Sequence, residues 1–126
     1  MRIAICDDEE QERLNIKALV KRYAPELSIV LFPSADELLA AAKTTFFPLI
    51  FLDIEMDDTN GFDAAEELMS GSSQPLIVFV TKSTEYTIRG YDVAFHYLVK
   101  PLNEEKFYEV LKRALRLIIP QYFSFS

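Results

Sequence analysis

The chain has 126 residues, a formal net charge of −7 and a sequence pI near 4.7. A chain of this length is typical of one domain with a single hydrophobic core, and it needs no disulfide or metal to hold the fold together. The acidic balance argues against direct binding of this segment to a nucleic-acid backbone, because phosphate contacts need clustered Lys and Arg. Composition therefore favours a cation or a basic protein surface as the partner.

The cysteine content and the apolar runs bear on where the protein resides. The only cysteine, Cys6, lies within a strand-like apolar run and is predicted to be a buried, reduced thiol. No apolar stretch is long enough to span a bilayer, and no charged segment is followed by an apolar leader. We therefore expect a cytoplasmic protein with no membrane partner.

Short apolar strands and amphipathic helices alternate along the first third of the chain. Strands are predicted at Arg2–Cys6 and Ser28–Phe32. Between them lies a helix that Pro25 ends and whose apolar residues recur at i, i+3, i+4 and i+7: Ile16, Leu19, Val20 and Tyr23. After the second strand, Ser34 and Glu37 form a capping box before a helix with its own apolar stripe: Ala35, Leu38, Leu39 and Ala42.

Two strands in the middle of the chain are continuously apolar, which is typical of central strands covered on both faces. The first, residues 49–52, runs directly into Asp53, and the second, residues 76–80, ends at Thr81. Between them, residues 57–61 form a polar loop. A third helix follows this loop, with apolar residues at helical spacing: Phe62, Ala65 and Met69.

The last third of the chain contains one weak and two clear elements. Residues 82–91 are predicted as a marginal helix because they include several poor helix formers: Thr84, Thr87 and Gly90. A fifth strand at His96–Val99 is followed by Lys100 and Pro101. Asn103 is predicted to cap the last helix, which carries a continuous apolar stripe: Phe107, Val110, Leu111, Ala114 and Ile118.

This alternation predicts an α/β domain. Five strands and five helices imply right-handed crossovers and a parallel sheet with helices on both faces. In such sheets, binding sites form outside the carboxyl ends of the strands, where the strand order reverses. Polar residues follow four of the predicted strands: Asp7 and Asp8, Asp53, Thr81, and Lys100. Three carboxylates at one edge repel each other unless a cation lies among them, so the sequence predicts a divalent-metal site.

The order and type of these residues resemble the response-regulator receiver domain, the CheY-like module of two-component signalling. The resemblance extends from Arg2 to about Ile118 and is carried by five features: Asp7-Asp8, Asp53 within Leu-Asp-Ile-Glu-Met, Gly61 before the third helix, Thr81 after Phe-Val, and Lys100-Pro101. It implies a flavodoxin-like or CheY-like (βα)5 fold with strand order 2-1-3-4-5. It also implies that residues 1–119 form the receiver domain.

The resemblance assigns an acceptor and a metal site. Asp53 would be the nucleophile that takes a phosphoryl group from a sensor histidine kinase, since carboxylates form acyl phosphates. Asp8, Asp53 and the backbone carbonyl of Glu55 would bind Mg²⁺ directly, whereas Asp7 would act mainly through a bound water. Magnesium suits this site because it prefers hard oxygen ligands and also binds phosphate oxygens.

The resemblance also assigns a switch. Lys100, aimed inward by a cis bond to Pro101, would pair with the carboxylate and then with the phosphate. Thr81 would turn its hydroxyl toward a phosphoryl oxygen, and the ring of Tyr97 would enter the space it leaves. The surface formed by the fourth helix, fifth strand and fifth helix would change shape and offer a possible homodimer interface. A static, partly buried tyrosine is the alternative.

Two positions depart from the family pattern. Lys82 stands after Thr81, where receivers usually have a small residue, and its long cationic side chain is predicted to cover the aspartate, pair with the phosphate or slow the access of water. Asp57 stands where many receivers have proline, which predicts a more acidic and less stiff loop. Both residues are therefore candidate modulators of the rates of phosphorylation and hydrolysis.

The last residues of the chain suggest which kind of output domain the receiver controls. Residues 120–126 follow the last helix, and Tyr122-Phe123-Ser124-Phe125-Ser126 alternates aromatic and hydroxyl residues as the start of a strand would. Asp-Ile-Glu-Met, Thr-Glu-Tyr and Tyr-Leu-Val-Lys-Pro resemble receivers whose output is a LytTR-type DNA-binding domain. We expect residues 120–126 to be a linker or the start of such a domain, so that DNA is bound only outside this chain. The alternative is a stand-alone receiver with an aromatic tail.

Two other functions stay open at the level of sequence. A pseudo-receiver would act as a protein-interaction module independent of phosphorylation, a reading that Lys82 makes conceivable. A magnesium-dependent phosphohydrolase would also use an aspartyl phosphate, but the chain lacks an evident separate general acid and a cap domain. We therefore interpret the chain as a phosphoacceptor that assists its own phosphorylation and dephosphorylation and is not an enzyme.

Overall fold

The computed structural model describes residues 1–82 and 94–119. Five strands lie in these ranges: β1 (Arg2–Cys6), β2 (Ser28–Phe32), β3 (Leu49–Leu52), β4 (Leu76–Thr81) and β5 (His96–Val99). Four helices accompany them: α1 (Glu10–Tyr23), α2 (Ala35–Ala42), α3 (Gly61–Met69) and α4 (Glu104–Ile118). The helix predicted fifth is thus α4 here. The helix predicted at residues 82–91 and the tail at 120–126 lie outside the described residues, apart from Lys82.

All five strands are parallel and hydrogen-bonded in the order β2-β1-β3-β4-β5, which confirms the predicted topology. In this order β2 lies on one side of β1, and the later strands β3, β4 and β5 lie on the other side. The strand order therefore reverses between β1 and β3, where Cys6 lies beside Leu52. Ligand sites in open α/β sheets lie outside the carboxyl ends of the strands at this reversal.

Each face of the sheet has its own core. Alternate β1 residues project to opposite sides, so Ile3 and Ile5 pack with α1 and α4, whereas Ala4 and Cys6 pack with α2 and α3. Helices thus cover both faces, as predicted. Cys6 is buried and forms no disulfide, and its burial raises the pKa of the thiol.

Side-chain caps begin three of the described helices. The Ser34 hydroxyl accepts a hydrogen bond from the Glu37 N–H at 3.2 Å, and the Asn103 side chain accepts one from the Lys106 N–H at 2.9 Å. Both caps were predicted. Asn60 caps α3 by accepting from the Phe62 N–H at 2.7 Å. These caps fix where each helix begins after a loop at the carboxyl edge of the sheet.

A groove of about 860 Å³ lies between α2 and α3, with Leu39, Phe47 and Leu68 in its walls. The carboxylates that follow β1 and β3 do not line it. The groove is therefore separate from the carboxyl edge of the sheet where those carboxylates lie. Of the helices in the described ranges, none has the length and apolar character needed to cross a bilayer.

Candidate functional site

Three carboxylates converge where the strand order reverses. Asp7 and Asp8 follow β1, and Asp53 follows its neighbour β3. One oxygen from each of the three carboxylates lies within 4.8 Å of the other two. The structure thus brings together three hard oxygen donors, the ligand type that Mg²⁺ and Ca²⁺ prefer.

Asp7 is the most firmly held of the three. It is fully buried, and its side chain accepts hydrogen bonds from the Lys100 ammonium at 2.6 Å and from the Glu9 N–H at 3.0 Å. The Arg13 guanidinium donates to its backbone carbonyl at 2.7 Å. Such a carboxylate has lost most of its freedom to move, so it serves as a fixed support for its neighbours.

Lys100 directly follows β5. Its backbone N–H donates a hydrogen bond to the Thr81 carbonyl at 2.8 Å, which fixes the position from which its side chain reaches the site. Its side chain is 4% exposed, and its ammonium lies 3.6 Å from Asp53 Oδ2, farther than from Asp7. Burial acts to lower the pKa of Lys100, but the hydrogen bond to Asp7 and the charges of both carboxylates outweigh it and raise the pKa. Lys100 therefore remains a cation. Its peptide bond to Pro101 is cis, as the resemblance implied.

Asp53 is a carboxyl group with a strongly perturbed pKa. Burial, followed by the negative charge of Asp7, raises its pKa to about 7, although Lys100 and the Glu55 N–H, 3.3 Å from Asp53 Oδ1, act in the opposite direction. Near neutral pH the protein alone therefore stabilises the carboxylate poorly. A cation bound among the three carboxylates would remove this penalty, so the residues fit a divalent metal.

The loop after β3 brings further acidic groups to the edge of this cluster. Desolvation and then the charge of Asp57 raise the pKa of Asp8, whereas a hydrogen bond from the Asp57 backbone acts to lower it. Asp57 is exposed, as is the side chain of Glu55. Asp57 is therefore placed to influence the electrostatics of Asp8 directly.

Gly61 allows this loop to close against Asp53. Its N–H donates to the Ile54 carbonyl at 2.9 Å. A Cβ at Gly61 would lie 2.4 Å from the Asp53 carbonyl oxygen and 2.6 Å from the Cα of Ile54, both far below van der Waals contact and both backbone atoms. Only glycine fits the close approach, so this residue positions the acidic loop.

The same loop is tied to α2 by contacts that the sequence did not indicate. The Asp58 carboxylate accepts hydrogen bonds from the Asp36 N–H at 2.9 Å and, more weakly, from the Ala35 N–H at 3.4 Å. The Thr59 hydroxyl donates to Asp36 Oδ1 at 2.6 Å. Asp58 thus caps α2 from a distant loop, where a negative charge is also favoured by the helix dipole. The acidic loop predicted to be less stiff is anchored at these points.

Thr81 and Tyr97 lie on neighbouring strands beside the cluster. Thr81 is buried at the end of β4, two residues after Phe79, which pairs with Leu52 in the sheet. Asp53 follows Leu52, so both polar residues reach the same edge. Tyr97 is half-buried in β5, with its ring centroid 5.7 Å from that of Phe79. Both predicted switch residues therefore lie on the adjacent strands β4 and β5.

Lys82 lies at the mouth of the site and is exposed. Its ammonium is 3.0 Å from Glu9 Oε1, in an ion pair whose side chains are 63% and 50% exposed. Sequence reasoning singled out Lys82 but missed Glu9, which is 73 residues away. It also missed Arg13, which contacts Asp7 from only six residues away, and Asp58, because no sequence motif marks the contacts that these two residues make.

The fold and the site together define a doubly wound α/β protein with an acidic cluster and a buried lysine at its switch point. The sequence profile described as the response regulator receiver domain matches residues 3–112. The chain therefore belongs to the receiver-domain family of two-component response regulators.

The curated relatives of this chain include sensory transduction proteins named LytT. The sensory transduction protein LytT of Enterococcus faecalis is 33% identical over 115 residues, which are 90% of this chain and 48% of the relative. LytT of Bacillus subtilis is 32% identical over 114 residues, which are 90% of this chain and 47% of the relative. The chain thus spans about half the length of the curated relatives it matches.

Solved structures show the same fold. The response regulatory domain of mrkE from Klebsiella pneumoniae has a TM-score of 0.87 at 24% identity, covering 93% of this chain and 97% of that one. A CheY-like receiver domain protein from Methanospirillum hungatei has a TM-score of 0.82 at 25% identity, covering 92% and 94%. The receiver fold is therefore established by both comparison and topology.

Proposed function

We propose that this domain accepts a phosphoryl group on Asp53 from a sensor histidine kinase and converts that event into a change of its surface. The observation that carries the proposal is the buried ammonium of Lys100, which lies 2.6 Å from Asp7 and 3.6 Å from Asp53 within a cluster of three carboxylates. A fixed cation beside a poorly stabilised carboxylate provides what phosphoryl transfer needs most, which is positioning and electrostatic stabilisation.

Magnesium is the cofactor that this proposal requires. Asp8, Asp53 and the backbone carbonyl of Glu55 would bind it, with Asp7 acting through a water. The close carboxylates and the raised pKa of Asp53 support this assignment. When bound, Mg²⁺ supplies positive charge to the oxygens of the transferring group.

The transfer step is a displacement at phosphorus. A carboxylate oxygen of Asp53 attacks, an O–P bond forms, and the P–N bond to the donor histidine of the kinase breaks. The Lys100 ammonium, which has three donors, would keep its hydrogen bond to Asp7 and also donate to a phosphoryl oxygen, and the Thr81 hydroxyl would donate to another. The buried position of both residues means that their donors are already desolvated before the group arrives.

The surface change would pass from Thr81 to β5. Movement of the Thr81 side chain toward the phosphoryl group opens space beside β4, and the Tyr97 ring, now packed near Phe79, moves inward. The face that includes β5 and α4 then favours a different partner, and a second copy of the domain is the partner we propose. The helix predicted before β5 would complete this face.

Transcription is the output that we propose for the whole protein. The relatives named LytT are about twice as long as this chain, which leaves room for an additional domain. Residues 1–119 would form the receiver domain, and residues 120–126 would begin the connection to a LytTR-type domain that binds DNA. The receiver itself, with a net charge of −7, would not contact DNA.

The test is phosphorylation by acetyl phosphate with and without Mg²⁺, measured by a mobility shift on a phosphate-binding gel. Wild type should be modified only with Mg²⁺, and Asp53→Asn should not be modified. Asp57→Asn serves as the matched control because it removes a nearby exposed carboxylate and leaves Asp53 in place. Modification of Asp53→Asn, or none of wild type with Mg²⁺, would overturn the proposal.

A further inference from the structure

Lys82 and Glu9 form an ion pair across the mouth of the site. Glu9 directly follows Asp8 in the loop before α1, and Lys82 directly follows Thr81 at the end of β4. Their side chains meet at 3.0 Å, so the pair links two loops that border the acidic cluster. The contact is exposed and singly hydrogen-bonded, and such pairs exchange partners readily.

The charge of Lys100 connects this surface pair to the buried cluster. Lys100 helps to lower the pKa of Glu9, after the hydrogen bond and charge of Lys82 itself, and it also opposes the rise in the pKa of Lys82. Both ends of the pair therefore lie within electrostatic reach of the Lys100 ammonium. A dianionic group added at Asp53 would enter the same field.

The two lysines differ in what they can offer such a group. Lys100 is buried and already donates to Asp7. The side chain of Lys82 is 63% exposed, and within residues 1–82 and 94–119 its ion pair is with Glu9. A flexible ammonium with three donors can leave a surface carboxylate for a phosphoryl oxygen, which carries more charge.

We propose that Lys82 binds the phosphoryl group of the phosphorylated domain and that Glu9 competes for it, so that the pair sets the lifetime of the acyl phosphate. This inference rests on the proposed phosphorylation of Asp53. While Lys82 pairs with Glu9, its ammonium is engaged and does not cover a phosphoryl group on Asp53. When Lys82 moves to the phosphoryl group, its side chain covers the phosphorus.

The step that Lys82 controls is hydrolysis. A water molecule attacks phosphorus, the P–O bond to Asp53 breaks, inorganic phosphate leaves with a new P–O bond from water, and the Asp53 carboxylate is regenerated. The attacking water must approach opposite the bond that breaks, from the solvent side of the site. A lysine side chain lying there excludes water and lengthens the lifetime.

Two substitutions should therefore act in opposite directions. Lys82→Gln removes the covering cation, and we expect the half-life of the acyl phosphate to shorten about threefold or more. Glu9→Gln removes the competitor, and we expect the half-life to lengthen about twofold or more. In the double variant the Glu9 substitution should have no further effect, because its action depends on Lys82.

The experiment measures loss of phosphate from domain phosphorylated with acetyl phosphate in Mg²⁺, after removal of the donor. Arg22→Gln is the matched control, since it breaks another exposed ion pair, with Glu104, away from the acidic cluster. Its half-life should equal that of wild type. High salt should shrink the effect of Glu9→Gln, because exposed charges are screened.

A second readout follows Lys82 itself. The ¹³Cε resonance of Lys82 should shift when beryllofluoride is added to wild type, and it should not shift in Asp53→Asn. Half-lives of Lys82→Gln and Glu9→Gln within twofold of wild type, or changed in the same direction, would overturn the inference while leaving phosphorylation intact. If wild type accepts no phosphoryl group at all, the proposed function fails and this inference fails with it.

Discussion

Two lysine–carboxylate pairs lie at the same edge of the sheet in opposite surroundings. The Lys100–Asp7 pair is at the floor of the site, with side chains 4% and 0% exposed, whereas the Lys82–Glu9 pair is at its mouth, with side chains 63% and 50% exposed. A buried pair that loses one partner leaves an uncompensated charge, but an exposed pair is replaced by water. The floor is thus built to stay fixed, and the mouth is free to exchange partners.

The largest effect expected from this comparison is on folding stability. Lys100→Met leaves Asp7 and Asp53 close together and buried without their cation, so the free energy of unfolding at neutral pH should fall by about 3–5 kcal/mol. Urea unfolding of the metal-free domain measures it. Added Mg²⁺ should restore part of the loss, because it binds the same carboxylates in the folded state only.

Lys82→Met is the matched control, since it removes the same charge from the mouth. Its unfolding midpoint should equal that of wild type within error. If both substitutions destabilise the domain equally, the distinction between a fixed floor and an exchangeable mouth is wrong.

A second effect should come from the packing beneath Asp53. Gly61→Ala would place a methyl group 2.4 Å from the Asp53 carbonyl oxygen, so the backbone must shift, and we expect a loss of about 2–4 kcal/mol in the free energy of unfolding. Mg²⁺ affinity, measured by calorimetry, should fall with it. Gly71→Ala is the control, because its nearest atom would be at 3.9 Å, an ordinary contact. Equal stability of the two variants would show that the loop does not hold Asp53.

The fold could be predicted largely because its signals are local. Continuous apolar runs marked β3 and β4, and the caps at Ser34 and Asn103 lie within three residues of the groups they satisfy. The convergence of the carboxylates also followed, because parallel strands deliver the residues after their carboxyl ends to one edge.

Contacts between loops could not be predicted in the same way. The spacing of Lys100 relative to the strands places its ammonium at the edge but does not say that it lies closer to Asp7 than to Asp53. The capping of α2 by Asp58 depends on the path of a loop 22 residues away. Such contacts are decided by rotamers and backbone turns that no sequence period encodes.

The smallest effect expected at the floor is a pH dependence that reports the burial of Asp53. Because burial and Asp7 raise its pKa to about 7 in the folded domain, the folded state favours the protonated form. At about pH 3 and below, the group is mostly protonated in both states and contributes little. As the pH rises toward 7, the unfolded chain loses its proton first, and Asp53 becomes progressively destabilising. Asp53→Asn should therefore match wild type at about pH 3 and exceed its free energy of unfolding at pH 8 by roughly 1–3 kcal/mol without metal, a value reduced by solvent screening at the edge of the sheet. The pKa of about 7 already includes the attraction to Lys100, which acts to lower it. Urea unfolding across this range measures the difference, and Mg²⁺ should narrow it. A variant less stable than wild type at pH 8 would mean that the attraction to Lys100 outweighs both burial and the repulsion from Asp7.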